Sequence, residues 1–389
     1  MSSKPSSVVD ALATRQTPEL ILDEGRMLRN VDRLRAHLEP LGVTLRPHMK
    51  TAKSIEVARR VLTGGAGPAT VSTLKEAEEL FAAGVTDILY AVGIAPHRLP
   101  RVQALRAAGC DLSVVLDSLE QAEAVVAASA HAPIPVLLEI DCDGHRSGLK
   151  PSNPAIVEIG HALVRGGAHL RGVLTHAGES YKARSESELV AFAELERSAA
   201  VDAAGLLRQA GLPCPKVSVG STPTAHYARN LDGVTEVRAG VYVFFDLVMA
   251  GIGVCQIDDI ALSVSTTVIG HQPDKGWVIV DAGWMALSSD RGTASQAVNQ
   301  FGGVVCDAAG KPYPDLLLIQ ANQEHGIVAV RPGSGARLPP LPVGTVLRIL
   351  PVHACATAAQ FDAYAVLPAD GGPLQSWPRF RGWREMPCK

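Results

Sequence analysis

From Glu19 onward, short apolar runs rich in β-branched residues alternate with longer stretches in which apolar positions recur at helical spacing. The runs are ELILD (19–23), VTLRPH (43–48), GPATVST (67–73), TDILYA (86–91), CDLSVVL (110–116), IPVLLEID (134–141), LRGVLTH (170–176), KVSVGS (216–221) and EVRAG (236–240). Between them lie amphipathic segments such as Met27 to Leu38, Leu74 to Ala83 and Leu119 to Ala128. Strands separated by helix-length patterns predict parallel βαβ units. Two helix starts are marked after a strand, Thr73 with Glu76 and, in an Asp-led version, Asp117 with Glu120. No Gly-rich dinucleotide turn opens the first unit, so a closed (β/α)8 barrel is a more economical solution than an open doubly wound sheet.

After Val241 the texture changes. IALSVSTTVIG, GWVIVDAGW, GIVAVRPG and TVLRILPVHA are β-rich and separated by Gly, Pro, Asn and Asp turns, which predicts a second, mainly β domain. The expected division is a barrel over 17–241 and a β domain over 242–389, with residues 1–16 either disordered or packed on the β domain. A length of 389 residues suits two domains.

Composition narrows the function. With 36 Lys and Arg against 39 Asp and Glu, the net charge of −3 offers no footprint for nucleic acid or an anionic membrane, which leaves a small-molecule partner. Seven cysteines (Cys110, Cys142, Cys214, Cys255, Cys306, Cys355 and Cys388) without regular spacing do not form a disulfide framework, and a reducing cytoplasm is expected. The N-terminus lacks an apolar signal core, and the most apolar stretch, Gly240 to Cys255, carries Asp246, so neither export nor a membrane span is expected.

Four clusters carry candidate chemistry. RPHMKTAK (46–53) follows a predicted barrel strand, where barrels build active sites; Lys50 beside Arg46 and His48 would have its amine favoured in the neutral form that a Schiff base needs. A solvated surface lysine is the plain alternative. In EIDCDGHRSG (139–148), Asp141, His145 and Arg146 suit an anionic ligand, or are ordinary turn residues. LTHAGESY, VGSTPT and EVRAGVY end consecutive late strands; Gly220, Ser221, Thr222, Gly240 and Val241 would form a phosphate nest, or merely tight turns. In ILPVHACAT, His353 and Cys355 would share one face of a strand and could reach one metal with positions left open, although a buried Cys is often just a small hydrophobe.

In this order, RPHMKT, DGHRSG, VGSTPT, VRAGVYVFFD, ANQEHG and HAC resemble the fold-type III pyridoxal phosphate enzymes of the D-threonine aldolase and D-serine dehydratase family, from about Thr17 to the C-terminus. The resemblance implies an alanine-racemase-like barrel with a β domain, and a homodimer. It implies that Lys50 bonds the pyridoxal aldehyde, that His176 and Arg146 lie beside the pyridine ring, and that Tyr181 hydrogen-bonds near the phosphate or ring hydroxyl. Gly220, Ser221, Thr222, Gly240 and Val241, with Tyr242, would hold the phosphate, and Arg238 would reach the pyridine nitrogen. His353 and Cys355 match the family's zinc pair, with Mn, Co or Mg as other ions; where the family's aldolases often carry His-x-Asp, His-x-Cys looks like the dehydratase branch.

The implied activity is loss of water from a D-3-hydroxy amino acid, D-threo-3-hydroxyaspartate giving oxaloacetate and ammonia, or D-serine giving pyruvate. Retro-aldol cleavage to glycine and an aldehyde is the alternative, and a non-catalytic cofactor carrier is a third reading. Asp281 and Trp284, with Gln323, Glu324 and His325, either line the site or order turns of the β domain. Trp377 and Trp383 are read as packing, since no basic groove accompanies them.

Overall fold

The computed structural model describes residues 8–130 and 132–383; Cys388 and the N-terminal seven residues of the stretch read as free or packed lie outside them. The chain forms two compact units. One is Asp32–Gly240 with the described residues from Phe380; the other is the described residues up to Val31 with Val241–Arg379.

The first unit is a parallel barrel. Its strands are β2 (Thr44–Leu45), β3 (Ala69–Val71), β4 (Asp87–Gly93), β5 (Asp111–Leu116), β6 (Pro135–Ile140), β7 (His169–Thr175), β8 (Lys216–Val219) and β9 (Glu236–Val237), ordered 2-9-8-7-6-5-4-3. Parallel bridging of His48 to Thr70, with Met49 N–H donating to Thr70 O at 2.8 Å, joins the two ends of that order. All eight coincide with runs legible in the sequence, β4 outlasting its run by two residues and β7 starting one residue before its own, because strands buried on both faces read as continuous apolar stretches. Inside, Leu89, Val115, Leu137 and Leu174 pack as one apolar layer from β4 to β7. Side chains two residues on share that face, so Glu139 and His176 follow directly from Leu137 and Leu174.

At the strand starts the interior is charged. Arg46 is buried and donates to both carboxylate oxygens of Asp87 (2.9 and 3.0 Å) and to Glu236 (3.0 Å). This corrects the expectation that Arg46 acts on Lys50: its guanidinium is committed to carboxylates that open β4 and β9. Thr73 caps its helix as expected, accepting from Glu76 N–H at 3.1 Å. The second cap is shifted by one residue. Ser118, not Asp117, accepts from Gln121 N–H, and Gln121 Oε1 accepts from the N–H of Asp117, one residue before the cap, at 3.0 Å.

The second unit holds a nine-stranded sheet. Its strands are β1 (Glu19–Asp23), β10 (Leu262–Gln272), β11 (Trp277–Val280), β12 (Val304–Cys306), β13 (Pro312–Ala321), β14 (Gly326–Val330), β15 (Val346–Leu350), β16 (Ala363–Leu367) and β17 (Gln375–Pro378). Strands 11-14-13-12-15-10 close on themselves through a β10–β11 pairing, and β1, β16 and β17 extend from β10. The run ELILD, read as the first barrel strand, therefore belongs here: β1 pairs antiparallel with β10 and parallel with β16. The helix Val8–Ala13 docks beside it, Leu12 packing with Ile21 and Ala365. No helix among the described residues is long and apolar enough to cross a membrane.

Candidate active site

In the barrel unit, Lys50, Arg146, His176, Tyr181, Ser221, Arg238 and their neighbours all follow the C-terminal ends of strands, where a barrel's loops converge. Burial, then the charges of Lys50, Arg238 and His176, hold His48 well below the usual imidazole range. Burial and the charge of Lys50 hold His176 at about 3. Lys50, His48, His176 and Arg238 thus feel one another's fields, which hold both imidazoles toward the neutral form. His176 Nδ1–H donates to the Gly220 carbonyl at 2.7 Å, leaving Nε2 as its acceptor. Its ring lies 6.2 Å from that of Tyr181, inclined at 51°.

Arg238 is buried and donates to Ser218 Oγ at 2.5 Å and Thr175 O at 2.6 Å; Ser218 in turn donates to Glu236 at 2.7 Å. Burial lowers its pKa against the pull of Glu236, Glu196 and Glu139. Arg146 is exposed on its loop, yet its charge reaches both His176 and Glu139. Within that loop His145 pairs with Glu179 at 3.0 Å and Asp141 turns the backbone by accepting from Gly144 N–H at 2.7 Å.

Ser221 caps the helix Thr222–Tyr227 and its own N–H is taken by Thr224 Oγ1 at 3.2 Å. Gly220 N–H is also taken, by Glu196 at 3.0 Å. Of the expected nest, the Thr222 hydroxyl is the atom that is buried without a hydrogen-bond partner. Two glycines let neighbouring backbone approach closely. A Cβ on Gly220 (φ +150) would meet Arg238 O at 1.9 Å, and one on Gly240 would meet His48 O at 3.2 Å. An orphan hydroxyl at the start of this helix fits a phosphate group, whereas the Gly220 and Ser221 N–H groups of the expected nest are bonded within the protein.

Sequence reasoning missed Glu196. It is buried in the helix Glu186–Gln209 and accepts from Ala177 N–H (2.8 Å), Gly220 N–H and Thr224 Oγ1 (2.6 Å), so one carboxylate binds the loops after β7 and β8 together. Burial raises its pKa. A signal existed: it interrupts the apolar stripe of Leu189, Ala193, Ala200 and Ala203.

In the β unit, Val241 and Tyr242 are buried in a turn directly after Gly240. The strand expected to carry His353 and Cys355 ends earlier, at Leu350; His353 instead has extended backbone at the start of the helix Ala354–Ala358, which contains Cys355. The shared strand face is therefore replaced by a helix start. The two side chains still interact, since Asp290 and then Cys355 outweigh burial and raise the His353 pKa to about 11. His353 Nδ1–H donates to Asp290 Oδ2 at 2.7 Å. Asp246, buried, accepts from Ala354 N–H at 2.9 Å. Among the described residues no three His, Cys, Asp or Glu side chains form a ready-made metal cluster. An imidazole and a thiol with open positions fit a divalent ion of borderline softness.

Asp281 accepts from Thr17 Oγ1 (2.5 Å), Thr266 Oγ1 (2.7 Å) and Thr267 N–H (2.8 Å), which ties the strand edges together. Trp284 and Met285 N–H groups bond to the carbonyls of Asn322 and Gln323, while Gln323, Glu324 and His325 are exposed. Trp377 is buried and Trp383 is exposed.

Comparison with known proteins agrees with both units. Residues 22–248 match the family model "Alanine racemase, N-terminal domain", and 261–367 match "Putative serine dehydratase domain". The chain is 56% identical to D-threo-3-hydroxyaspartate dehydratase of Delftia sp. (strain HT23), over 96% of its own length and 100% of the relative's. The solved structure of the Delftia enzyme superposes with a TM-score of 0.93 at 55% identity, covering 96% of this chain and 100% of that one, and so does a variant with alanine in place of a cysteine, in the metal-free form. D-serine dehydratase of Dictyostelium discoideum is 30% identical over 96% of this chain and 99% of its own. A racemase-type barrel that continues into a serine dehydratase domain, matched end to end by such relatives, makes this chain a member of the alanine-racemase-like D-serine dehydratase family.

Proposed function

We propose that this chain is a lyase that removes water from D-3-hydroxy amino acids, with D-threo-3-hydroxyaspartate as the leading substrate and oxaloacetate and ammonia as products. The observation that carries this reading is full-length 56% identity to a dehydratase named for that substrate, together with the His353 and Cys355 pair. D-serine is the second substrate, giving pyruvate. The resident groups are pyridoxal phosphate and one divalent metal, zinc first and Mn, Co or Mg next. The orphan Thr222 hydroxyl suits the phosphate, and the imidazole and thiol suit the metal.

When bound, pyridoxal phosphate supplies an electron sink for charge at Cα and the metal supplies Lewis acidity at the β-hydroxyl. The residues do the rest. Lys50 would hold the aldehyde of the cofactor, and its amine would serve as the base for the Cα proton. His176, neutral with Nδ1–H fixed on Gly220, offers Nε2 without adding charge. Arg238, held by Ser218 and Thr175, keeps a cation inside the barrel, and Arg146 and Tyr181 would help to hold the cofactor. Ser221, Thr222, Gly220, Gly240, Val241 and Tyr242 form the phosphate loops. His353 and Cys355 hold the metal. Loss of water leaves an enamine that adds water again and expels ammonia, so the net change is hydroxy amino acid to keto acid plus ammonia. We place the enzyme in the cytoplasm as a homodimer.

Incubation of the purified protein with D-threo-3-hydroxyaspartate tests the reading. Equimolar oxaloacetate and ammonia, lost in Lys50→Ala, are expected. Glycine and glyoxylate without ammonia would overturn it in favour of an aldolase.

A further inference from the structure

Asp290 belongs to no motif and no role above, yet its two carboxylate oxygens are divided between different tasks. Oδ1 accepts from Gly292 N–H at 2.8 Å and shapes its own turn, while Oδ2 accepts from His353 Nδ1–H at 2.7 Å. The turn is well determined. Ser288, two residues earlier, adopts φ +69, a left-handed value for a side-chain-bearing residue, and its N–H is bonded to Trp284 O at 2.8 Å. Such backbone persists where the surroundings hold it.

The same neighbourhood fixes the other side of the pair. Thr357 Oγ1 donates to Leu287 O at 2.9 Å, which latches the helix of Cys355 to the turn that leads into Asp290. Asp246, capping Leu247–Gly251 through Met249 N–H at 3.0 Å, also accepts from Ala354 N–H and so fixes the backbone between His353 and Cys355. Backbone and ring of His353 are thus each held by a carboxylate. A liganding imidazole gives up the proton of the nitrogen that binds the metal and keeps one N–H; with that N–H on Nδ1 toward Asp290, Nε2 is the nitrogen left for the metal.

We propose that Asp290 is a positioning residue for the metal centre, holding His353 in the Nδ1–H tautomer and orientation that make Nε2 its donor atom. This rests on the reading of His353 and Cys355 as the metal pair. Carboxylates in this position, bonded to the far nitrogen of a liganding imidazole, typically alter metal affinity 10–100-fold.

The test uses full-length holoprotein with its cofactor retained, stripped of metal by chelator and titrated with Co²⁺ alone. The readouts are metal per chain and the sulfur-to-cobalt charge-transfer absorption. Asp290→Ala, which removes the acceptor, is expected to need 10–100 times more Co²⁺ for half-saturation. Asp290→Asn has a single acceptor oxygen, which can serve Gly292 N–H or His353 Nδ1–H but not both, so it is expected to weaken binding too, whereas a role limited to the turn would leave Asn at the wild-type affinity. Unchanged thermal midpoint and cofactor absorption confirm folding, and if the Ala variant does not fold, a shift in the Asn variant decides. Affinity within twofold of wild type in both variants overturns the role of Asp290 and leaves the metal pair standing. Failure of wild type itself to bind metal overturns both.

Discussion

Replacing Glu196 by Ala should loosen the barrel site from beneath. The carboxylate accepts three hydrogen bonds, from Ala177 N–H at 2.8 Å, Gly220 N–H at 3.0 Å and Thr224 Oγ1 at 2.6 Å. Without it the Thr224 hydroxyl can turn to Ser221 O, already 3.3 Å away, but two buried amides lose their acceptor. At about 1–3 kcal/mol for each stranded donor, the loss is about 2–6 kcal/mol. Glu196→Gln keeps a carbonyl oxygen for the amides and turns its NH2 to Thr224 Oγ1, which can accept, so it should cost about 1 kcal/mol. Urea unfolding monitored by circular dichroism measures both. Because Gly220 also accepts from His176, the Ala variant should release pyridoxal phosphate faster on dialysis, read from its near-visible absorption, whereas Gln should retain it. Ala and Gln variants with the same urea midpoint, or an Ala variant within 1 kcal/mol of wild type, would refute the reasoning.

Two further outcomes follow from burial. His176 has its pKa lowered from 6.5 to about 3, so on acidification the unfolded chain takes up this proton before the folded one; its contribution is complete above pH 6.5 and is lost as pH falls toward 3, at about 1.4 kcal/mol per pH unit. Urea midpoints from pH 7 to 4.5 should therefore fall more steeply for wild type than for His176→Asn, and parallel slopes would contradict the shift. Burial raises the thiol pKa of Cys110 to about 11 and of Cys142 and Cys306 to about 12. Iodoacetamide at pH 8 should leave all three unmodified in the native protein, including the half-buried Cys142, because on the order of one thiol in 10⁴ is ionised for a pKa near 12. Peptide mapping by mass spectrometry checks this, and labelling of Cys142 at the rate of an unfolded cysteine would count against it.

The barrel was legible because each of its strands is a bounded apolar run followed by a helical period, a local property. ELILD carries the same local signature and was misplaced, since pairing with β10 and β16 depends on partners more than 200 residues away. Lys50, Arg146, His176 and Arg238 can be singled out from the sequence because strand ends announce barrel sites, and because their motifs resemble a known family. Arg46 was misread: nothing in RPHMK tells that its side chain runs toward Asp87 and Glu236 while that of Lys50 faces His48 and His176. Asp290 was silent for a related reason. An Asp in a Ser-Asp-Arg-Gly turn is ordinary, and only the fold brings it to the imidazole.

The position of β1 has a consequence for how the chain is made. Residues 19–23 leave the ribosome early, but their neighbours in the sheet are residues 262–265 and 365–367. The intervening barrel can mature while this opening strand waits with both hydrogen-bonding edges bare, the condition in which nascent β segments aggregate or pair with the wrong chain. Synthesis must pass residue 367 before the gap between β10 and β16 exists to receive it, so expression yield should respond to chaperone supply more sharply than the intrinsic stability of the finished fold would suggest.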